Sequence, residues 1–243
     1  MALLQICQNV ARSVGGLEIP TSIVNNSNPT AETLLGCAQL AGKSIAKQRG
    51  KWGAWTMLIK EYTFTTDGSA DYALPSDYDR LLTDTAWDRS NYWELRGTLS
   101  PAQWQMYKSS VLGSSVSLRS RMRIRNVSGT RMFSLDPTPA SGVSMVYEYV
   151  SKNWCQSSGG SGQTAWAADT DTGILDEYLI ELDTLWRVLN RMGMAYAEEK
   201  EEAEQQIELA LAGDGGAPKL SLNSSTGTHL IDANNVPDTG IGS

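Results

Sequence analysis

The stretch of residues 169–215 limits the possible folds of this chain more than any other. Its apolar residues recur at alternating gaps of three and four, at Leu175, Tyr178, Leu182, Leu185, Leu189, Met192 and Tyr196. That spacing keeps one apolar stripe on one face of an α-helix. The stripe then gives way to the acidic run Glu198-Glu199-Lys200-Glu201-Glu202-Ala203-Glu204. The pattern predicts one long helix over about 172–212, anchored in a core at its start and strongly negative at its end.

The segment that precedes this stripe has two interpretations. Asp169-Thr170-Asp171-Thr172-Gly173 is superficially similar to the start of a calcium-binding loop, but no glutamate follows at the twelfth position. The simpler interpretation is that the Asp and Thr side chains cap the long helix and complement its positive end. We favour the cap, and no metal site is predicted.

Charge is distributed unevenly along the chain. Residues from 169 onward hold fifteen acidic and four basic side chains, so residues 1–168 carry +4 although the whole chain carries −7. Sequence-specific duplex binding needs a basic patch, and no uniformly basic surface is predicted. An acidic wall repels DNA, which suits a channel through which DNA must slide. The candidates for such a channel-facing surface are Glu198, Glu199, Glu201, Glu202 and Glu204.

The rest of the chain predicts an α+β fold. Helices are expected at 2–14 and from about 29 to 50, the second with Thr30 as its candidate cap, and a β-rich middle follows at about 56–152. We expect the helical ends of the chain to form a bundle, with the middle as an inserted lobe. The corresponding limits are 1–55, 56–155, 156–212 for a linker and the long helix, and 213–243 for an extended C-terminal arm.

Local signals predict several elements of the middle region. Asp67-Gly68, between strand-like runs at 56–65 and 70–74, is typical of a hairpin turn. Ser100, Pro101 and Gln103 predict a capped helix over about 101–110. Further strands are expected at 81–87, 92–96, 117–127 and 143–150. The Gly- and Ser-rich residues 156–163 are expected to form a flexible link.

Four arginines alternate along one predicted strand and therefore share one face: Arg119, Arg121, Arg123 and Arg125. One hypothesis is contact with a negative partner, either DNA phosphate or the acidic helix of a neighbouring subunit. The other is a solvated face. Because like charges on one face repel each other, an opposite charge nearby would stabilise the strand.

The sequence contains no arrangement typical of an enzyme. The single histidine, His229, lies in the tail, so Ser-His-Asp or Cys-His chemistry would require the tail to fold over a core. Neither a Walker-type phosphate loop nor a dinucleotide fingerprint is present. Cys7, Cys37 and Cys155 are widely spaced, and we expect small buried hydrophobes rather than zinc ligands or disulfides. We expect no catalytic residue and no cofactor.

The two ends of the chain differ in character. The N-terminus lacks a basic flank before an apolar run, and no segment approaches ~18 apolar residues, so neither a signal peptide nor a membrane span is expected. The tail from residue 213 is rich in Gly, Ser, Asn and Thr. We expect such a tail to be disordered alone and to become ordered on a partner.

Several segments together resemble the head-to-tail adaptor (connector) proteins of tailed bacteriophages, in the tail-tubular-A-like group. The segments are Trp52-Gly53-Ala54-Trp55, residues 72–80 (Tyr-Ala-Leu-Pro-Ser-Asp-Tyr-Asp-Arg) followed by Trp87, residues 96–105 (Arg-Gly-Thr-Leu-Ser-Pro-Ala-Gln-Trp-Gln), Tyr147-Glu148-Tyr149-Val150-Ser151 with Trp154, and Asp169-Thr170-Asp171 through Glu177 to Trp186-Arg187. Each motif is weak alone. Their order and spacing over about residues 45–210 carry the resemblance.

The resemblance implies a structural virion protein without turnover. Such adaptors form a ring, usually of twelve copies, beneath the portal at the capsid vertex, made in the host cytoplasm and located in the neck of the virion. The ring extends the DNA channel, contacts passing double-stranded DNA without sequence preference, and docks the next tail component, a nozzle or tail tube. In some adaptors the C-terminal segment clasps the portal, which here would involve Leu220, Leu222, Leu230, Ile231 and Val236.

Two other functions are compatible with parts of the sequence. Eight tryptophans and a β-rich middle suggest a carbohydrate- or receptor-binding module of a phage tail, although tryptophans spread along a chain are more typical of core and interface anchors. A hydrolase would need carboxylates such as Asp77 and Asp79 to act as acid and base. Two aspartates at this spacing are more typical of a turn.

Overall fold

The computed structural model describes residues 1–50, 53–109 and 120–216, and within these ranges the fold is α+β. The helices are α1 (Leu3–Val14), α2 (Pro29–Ala46), α3 (Pro101–Ser109), α4 (Glu177–Arg191) and α5 (Ala197–Asp214), with a 3-10 turn at Thr56–Leu58. The strands are β1 (Ile59–Thr65), β2 (Asp71–Ala73), β3 (Tyr78–Leu81), β4 (Trp87–Asp88), β5 (Trp93–Glu94), β6 (Arg121–Val127), β7 (Thr130–Asp136), β8 (Ser144–Ser151), β9 (Cys155–Gln156), β10 (Gly162–Gln163) and β11 (Thr172–Gly173). The mixed fold class predicted from the sequence is thus confirmed.

The predicted single long helix is wrong, because α4 and α5 are separate helices. Helix α4 ends at Gly193, whose φ of 71° lies in the left-handed region. The N–H of Met194 bonds the Leu189 carbonyl at 3.0 Å, and the N–H of Gly193 bonds the Asn190 carbonyl at 3.1 Å. This pair of bonds is the Schellman motif, which ends helices at a glycine. The chain therefore turns before the acidic run begins.

The predicted stripe is confirmed only in part, since Leu175 and Leu189 are buried and Leu185 packs against the core. Tyr178 and Met192 are 46% and 44% exposed, and the residues that face the core are Leu179, Ile180, Asp183, Thr184, Val188 and Leu189. Buried Asp183 is compensated by hydrogen bonds from Trp186 Nε1 at 2.7 Å and Arg187 Nε at 2.8 Å. The buried face of α4 thus includes the polar residue Asp183, which a pattern of apolar residues alone does not indicate.

The helix caps are displaced from their predicted positions. Asp176, and not the segment at 169–173, caps α4 through a bond from the Tyr178 N–H, at 2.9 Å. The Asp169 carboxylate instead accepts bonds from the N–H groups of Ile23 and Val24, the shortest at 2.8 Å. Asp171 accepts from the N–H groups of residues 167 and 168. These aspartates tie loops together, so both the predicted cap and the calcium-loop alternative fail. In α2 the cap is Asn28 and not Thr30.

The sheets are antiparallel, and their pairing overturns the predicted hairpin at Asp67-Gly68. Strand β1 pairs with β8 and β2 pairs with β7, giving the orders β1-β8-β4-β5 (with β3 also on β8), β2-β7-β6 and β10-β9-β11. The Thr66 side chain bonds the Ala140 carbonyl at 2.6 Å, which holds the chain at the crossing from one sheet to the next. A hairpin does form between β6 and β7 through Ser128-Gly129, where both φ values are positive, as a type I′ turn requires.

Other predictions of local structure had mixed outcomes. The capping box at α3 is confirmed, since Ser100 Oγ accepts from the Gln103 N–H at 3.2 Å and Gln103 Oε1 accepts from the Ser100 N–H at 2.9 Å. The flexible link at 156–163 is instead a short hairpin of β9 and β10. The expected arm boundary at residue 213 falls inside α5, which continues to Asp214.

Two groups of buried apolar residues form the core. The first, the helical cluster, includes Leu3, Leu34, Ile45, Trp154, Ile180 and Ile207 from α1, α2, α4, α5 and the segment after β8. The second, the aromatic cluster, includes Tyr72, Tyr78, Phe133, Tyr147 and Tyr149 from the first two sheets. Strand β8 joins them, because Val150 lies in the helical cluster and its neighbour Tyr149 in the aromatic cluster.

Candidate interaction surfaces

Helix α5 presents an acidic surface. It carries seven acidic residues and one lysine, and only Ala203 and Ile207 are buried. The predicted residues Glu198, Glu201, Glu202 and Glu204 are exposed and Glu199 is half-buried. The ion pair on this surface within the described residues joins Lys200 and Glu204 at 3.5 Å. The surface is thus almost uncompensated and faces away from the core.

Both ends of α5 are fixed to the rest of the molecule. At its C-terminal end Asp214 accepts bonds from the Thr56 N–H at 2.6 Å and from the Thr56 hydroxyl at 2.7 Å. Ile207 enters the helical cluster, and the glycine-ended turn precedes the first residue of the helix. An 18-residue helix is about 27 Å long, so the acidic surface is a fixed rod rather than a mobile tail.

The arginines of β6 divide into two groups. Arg125 is engaged within the chain, since its Nη2 lies 2.9 and 3.0 Å from the Asp71 carboxylate oxygens and its Nε donates to Ser134 at 2.7 Å. Its guanidinium also lies 5.8 Å from the ring centre of buried Trp104. Burial alone would raise the pKa of Asp71, but the hydrogen bonds from Ser134 and Arg125 outweigh it and hold that pKa below its ordinary value. Arg125 therefore has a structural role.

Arg121 and Arg123 remain available for a partner. Both are half-buried, and neither side chain makes a hydrogen bond or ion pair with another residue in the described ranges. Opposite them in the β6–β7 ladder lie Asp136 and Ser134. Arg119 lies outside the described residues. Of the four arginines predicted to share one face, Arg121 and Arg123 thus remain as candidates for contact with a partner.

A groove on the first sheet was not predicted. One face of this sheet is covered by the helical cluster at the Ile59–Val150 pair and is open farther along β1 and β8. The open part is a groove of about 570 Å³. A second depression of about 680 Å³ continues it toward the helices and shares Thr85 and Glu148. The groove was missed because its residues come from segments that are far apart in sequence.

Acidic and aromatic side chains line the groove. Glu61 and Glu148 are directly opposite each other in the β1–β8 ladder. Glu61 is paired with Arg89 at 2.8 Å, whereas the half-buried Glu148 carboxylate has no hydrogen-bond or ion-pair partner within the described ranges. Two like charges opposite each other destabilise a sheet. The groove therefore offers an uncompensated negative site.

The β4–β5 turn holds aromatic rings at the rim of this groove. Trp87 is 42% exposed and Tyr92 is 86% exposed. The turn is rigid, because buried Asp88 accepts bonds from the Asn91 N–H at 2.9 Å and from the Asn91 side chain at 2.8 Å. Tyr92 has a φ of 59°, a strained conformation for an aromatic residue.

The other tryptophans are mostly structural. Trp55, Trp104, Trp154 and Trp166 are buried, while Trp52 lies outside the described residues. Trp154 and Trp166 pack edge to face with ring centres 5.0 Å apart. This distribution agrees with the interpretation of the tryptophans as anchors rather than as one exposed sugar-stacking surface.

The carboxylates considered for a hydrolase are engaged in hydrogen bonds and ion pairs within the fold. Asp77 accepts bonds from Lys60 Nζ, the Tyr149 hydroxyl and the Ser151 hydroxyl, each at 2.8 Å. Burial alone would raise the pKa of Asp77, but these hydrogen bonds lower it below the ordinary value. A carboxylate held ionised in this way is a poor proton donor. Asp79 is paired with Arg80 at 2.9 Å.

Cysteine and metal chemistry are not favoured by the described residues. Cys7, Cys37 and Cys155 are all free and buried. Burial raises the pKa of Cys7 and of Cys155 to about 12, which keeps these thiols protonated and unreactive. In the described ranges, no three His, Cys, Asp or Glu side chains are grouped so that they could hold a metal. Over the same ranges, no helix has the length and apolar character needed to cross a membrane.

The proposed arm residues cannot be placed. Leu220, Leu222, Leu230, Ile231 and Val236 all lie outside the described residues, which end at 216. Their role therefore stays a prediction.

The chain is similar to a known family of proteins. A protein-family model described as SU10 adaptor protein matches residues 1–223, which is most of the chain. None of the curated proteins has significant sequence similarity to the chain.

Proposed function

We propose that this chain, which belongs to the SU10 adaptor protein family, is a subunit of a head-to-tail ring in a bacteriophage virion. The observation that carries the proposal is the family match over residues 1–223. The family consists of structural phage adaptors and is not a class of enzymes. More specifically, we propose that the chain belongs to the tail-tubular-A-like group, that the ring has twelve copies and that it lies in the neck under the portal.

The acidic surface of α5 supports a role in a DNA channel. DNA passing through a ring must slide without being gripped, and a wall of like charge prevents tight contacts. Because α5 is tied to Thr56 at one end and follows a fixed turn at the other, its charge keeps a constant position. We assign Glu198, Glu199, Glu201, Glu202 and Glu204 to the channel side.

The charge distribution supports head-to-tail assembly. The part of the chain up to residue 168 is positive and the remainder is negative. A contact between two different surfaces of the same chain generates a ring when the rotation closes. We assign Arg121 and Arg123 to this contact. A ring of this kind offers one rim to the portal and the other to the next tail component.

We further propose that different regions of the chain have different structural roles. Residues 1–55 and 156–212 form a helical bundle, residues 56–155 an inserted β-rich lobe, and the segment after α5 an arm that clasps the portal. The two apolar clusters support the first two assignments. The composition of the tail supports the third, since a segment with few apolar residues becomes ordered only on a partner.

The first experiment is the mass of the full chain by light scattering, alone and mixed with the portal ring of the same phage. We expect a stoichiometric ring complex on the portal. Deletion of residues 217–243 should abolish it while leaving the melting temperature unchanged, because Asp214 and its bonds to Thr56 are retained. A wild-type chain that never associates with the portal contradicts the proposed function. A deletion variant that still binds contradicts the arm assignment only.

A further inference from the structure

The open groove on the first sheet has the chemistry of an arginine receptor. Its floor holds the Glu61–Glu148 pair, in which Glu148 lacks a partner within the described ranges. Its rim holds the exposed rings of Trp87 and Tyr92. A guanidinium forms bidentate bonds with carboxylates and stacks on aromatic faces, whereas a lysine ammonium does not match both features.

We propose that this groove receives Arg121 and Arg123 from the β6 strand of a neighbouring copy. The inference rests on the proposed ring and deepens it by naming both sides of the contact. Charge complementarity selects the occupant. Neither arginine makes an ion pair in the described residues, although Arg121 lies opposite Asp136 in the ladder, and the groove has a carboxylate that makes none. Residues two apart on a strand are about 6.7 Å apart, and directly opposed cross-strand residues about 5 Å. Because Glu61 is already paired with Arg89, one of the two flexible arginine side chains can reach Glu148 while the other lies beside the aromatic rim.

The geometry of the fold is compatible with a closing contact. The groove belongs to the sheet β1-β8-β4-β5, and the arginines belong to the separate sheet β2-β7-β6. Donor and acceptor are thus different surfaces of one chain, which is the requirement for a head-to-tail interface. The aromatic rim also fits, since Trp, Tyr and Arg dominate the energetics of protein interfaces.

Helix α5 is the competing acceptor, and the groove is the better one. The glutamates of α5 project from a convex helix with only Ala203 and Ile207 buried, so an arginine bound there stays exposed to water and salt. In the groove an arginine would be partly desolvated between rings and carboxylates. This assignment leaves α5 free to line the channel.

The test uses charge reversal in the full chain, with association measured by sedimentation velocity, alone and on the portal ring. We expect Glu148→Lys and Arg123→Glu each to weaken association at least about tenfold. The double variant should recover to within about threefold of the wild type, because the charges are exchanged. The matched control is Glu202→Lys on α5, which should associate like the wild type.

A thermal melt separates the contact from folding. In Glu148→Lys a lysine replaces the like charge opposite Glu61, so the melting temperature should be equal to or above that of the wild type. Loss of association together with an unchanged melt supports the groove assignment.

Other outcomes would contradict either the groove assignment alone or the proposed ring as well. If the wild type associates and both single variants do so equally well, or if the double variant stays as weak as the singles, the groove does not receive these arginines and the ring proposal survives. If Glu202→Lys alone disrupts association, α5 is the acceptor. If the wild type never associates, the second-copy assignment fails together with the proposed ring.

Discussion

The helical cluster and the aromatic cluster hold their parts together by different means. In the helical cluster the decisive feature is shape: the Trp154 ring, from the segment between β8 and β9, lies so close to α2 that a Cβ on Gly42 would fall 2.0 Å from it. In the aromatic cluster the rings pack on one another, with Phe133 and Tyr147 stacked at 4.9 Å between centres, and polar groups tie the edges of the sheets together. Steric fit is therefore tested most directly in the helical cluster, and the contribution of a hydrogen-bonded carboxylate in the sheets.

The strongest test of this contrast is Gly42→Ala. Trp154 is 2% exposed and its Nε1 is bonded to the Thr164 carbonyl at 2.8 Å, so the ring cannot move aside cheaply. We expect a loss of about 2–3 kcal/mol in the free energy of unfolding, measured by urea titration.

The matched control is Gly36→Ala in the same helix, where the nearest atom to the new Cβ is Arg191 Nη1 at 4.0 Å. There we expect a gain of about 0.5–1 kcal/mol, because alanine favours the helix over glycine. Equal effects at the two sites would mean that shape does not govern the helical cluster.

The next test addresses the polar ties of the sheets. Asp77→Ala leaves the Tyr149 and Ser151 hydroxyls and Lys60 without their common acceptor, and we expect a loss of about 2 kcal/mol. The pKa of Asp77 is lowered on folding, so its contribution is complete above the unfolded-state value near 3.9 and is lost as the pH falls through the folded-state value.

This sign gives the test a pH readout. The stability difference between the wild type and Asp77→Asn should be constant above about pH 5 and shrink on acidification below about pH 4. A difference that grows toward low pH would contradict the role of Asp77 as an ionised acceptor.

The smallest expected effects distinguish two neighbouring rings of β8. The hydroxyl of buried Tyr147 makes no hydrogen bond within the described residues, and burial raises its pKa. Tyr147→Phe should therefore be neutral or stabilise the protein by up to about 1 kcal/mol. Tyr149→Phe removes the 2.8 Å bond to Asp77 and should cost about 1 kcal/mol. Thermal unfolding of the two variants in parallel is the measurement, and the reverse order would show that packing rather than hydrogen bonding dominates here.

Sequence reasoning succeeded where a signal is local. The capping box at Ser100 and Gln103 is contained in four consecutive residues, and the first helix follows a continuous apolar pattern. The end of α4 at Gly193 is also a local signal, but the apolar spacing continues across the glycine and therefore predicts one uninterrupted helix. The left-handed glycine and its two carbonyl bonds end the helix despite that spacing.

Sequence reasoning failed where partners are distant. The turn-like Asp67-Gly68 did not decide the pairing of β1, because β8 offers a full ladder of seven pairs from Ile59↔Val150 to Thr65↔Ser144. The groove could not be foreseen for the same reason, since Glu61, Trp87 and Glu148 meet only after that ladder forms. The arginine pattern was visible in the sequence, but the engagement of Arg125 by Asp71 depends on the packing of β2 beside β7.

The sharing of β8 between the two clusters has a mechanical consequence. Tyr149 and Val150 are consecutive residues of one strand, and β1 likewise packs Ile59 against the helical cluster and Tyr62 against the aromatic cluster. A force that pulls on the sheets therefore reaches the helices through paired strands and not through a compliant linker. The seven residue pairs with β1 distribute such a load along the whole strand. A molecule built in this way transmits strain between its sheets and its helices as a stiff beam does.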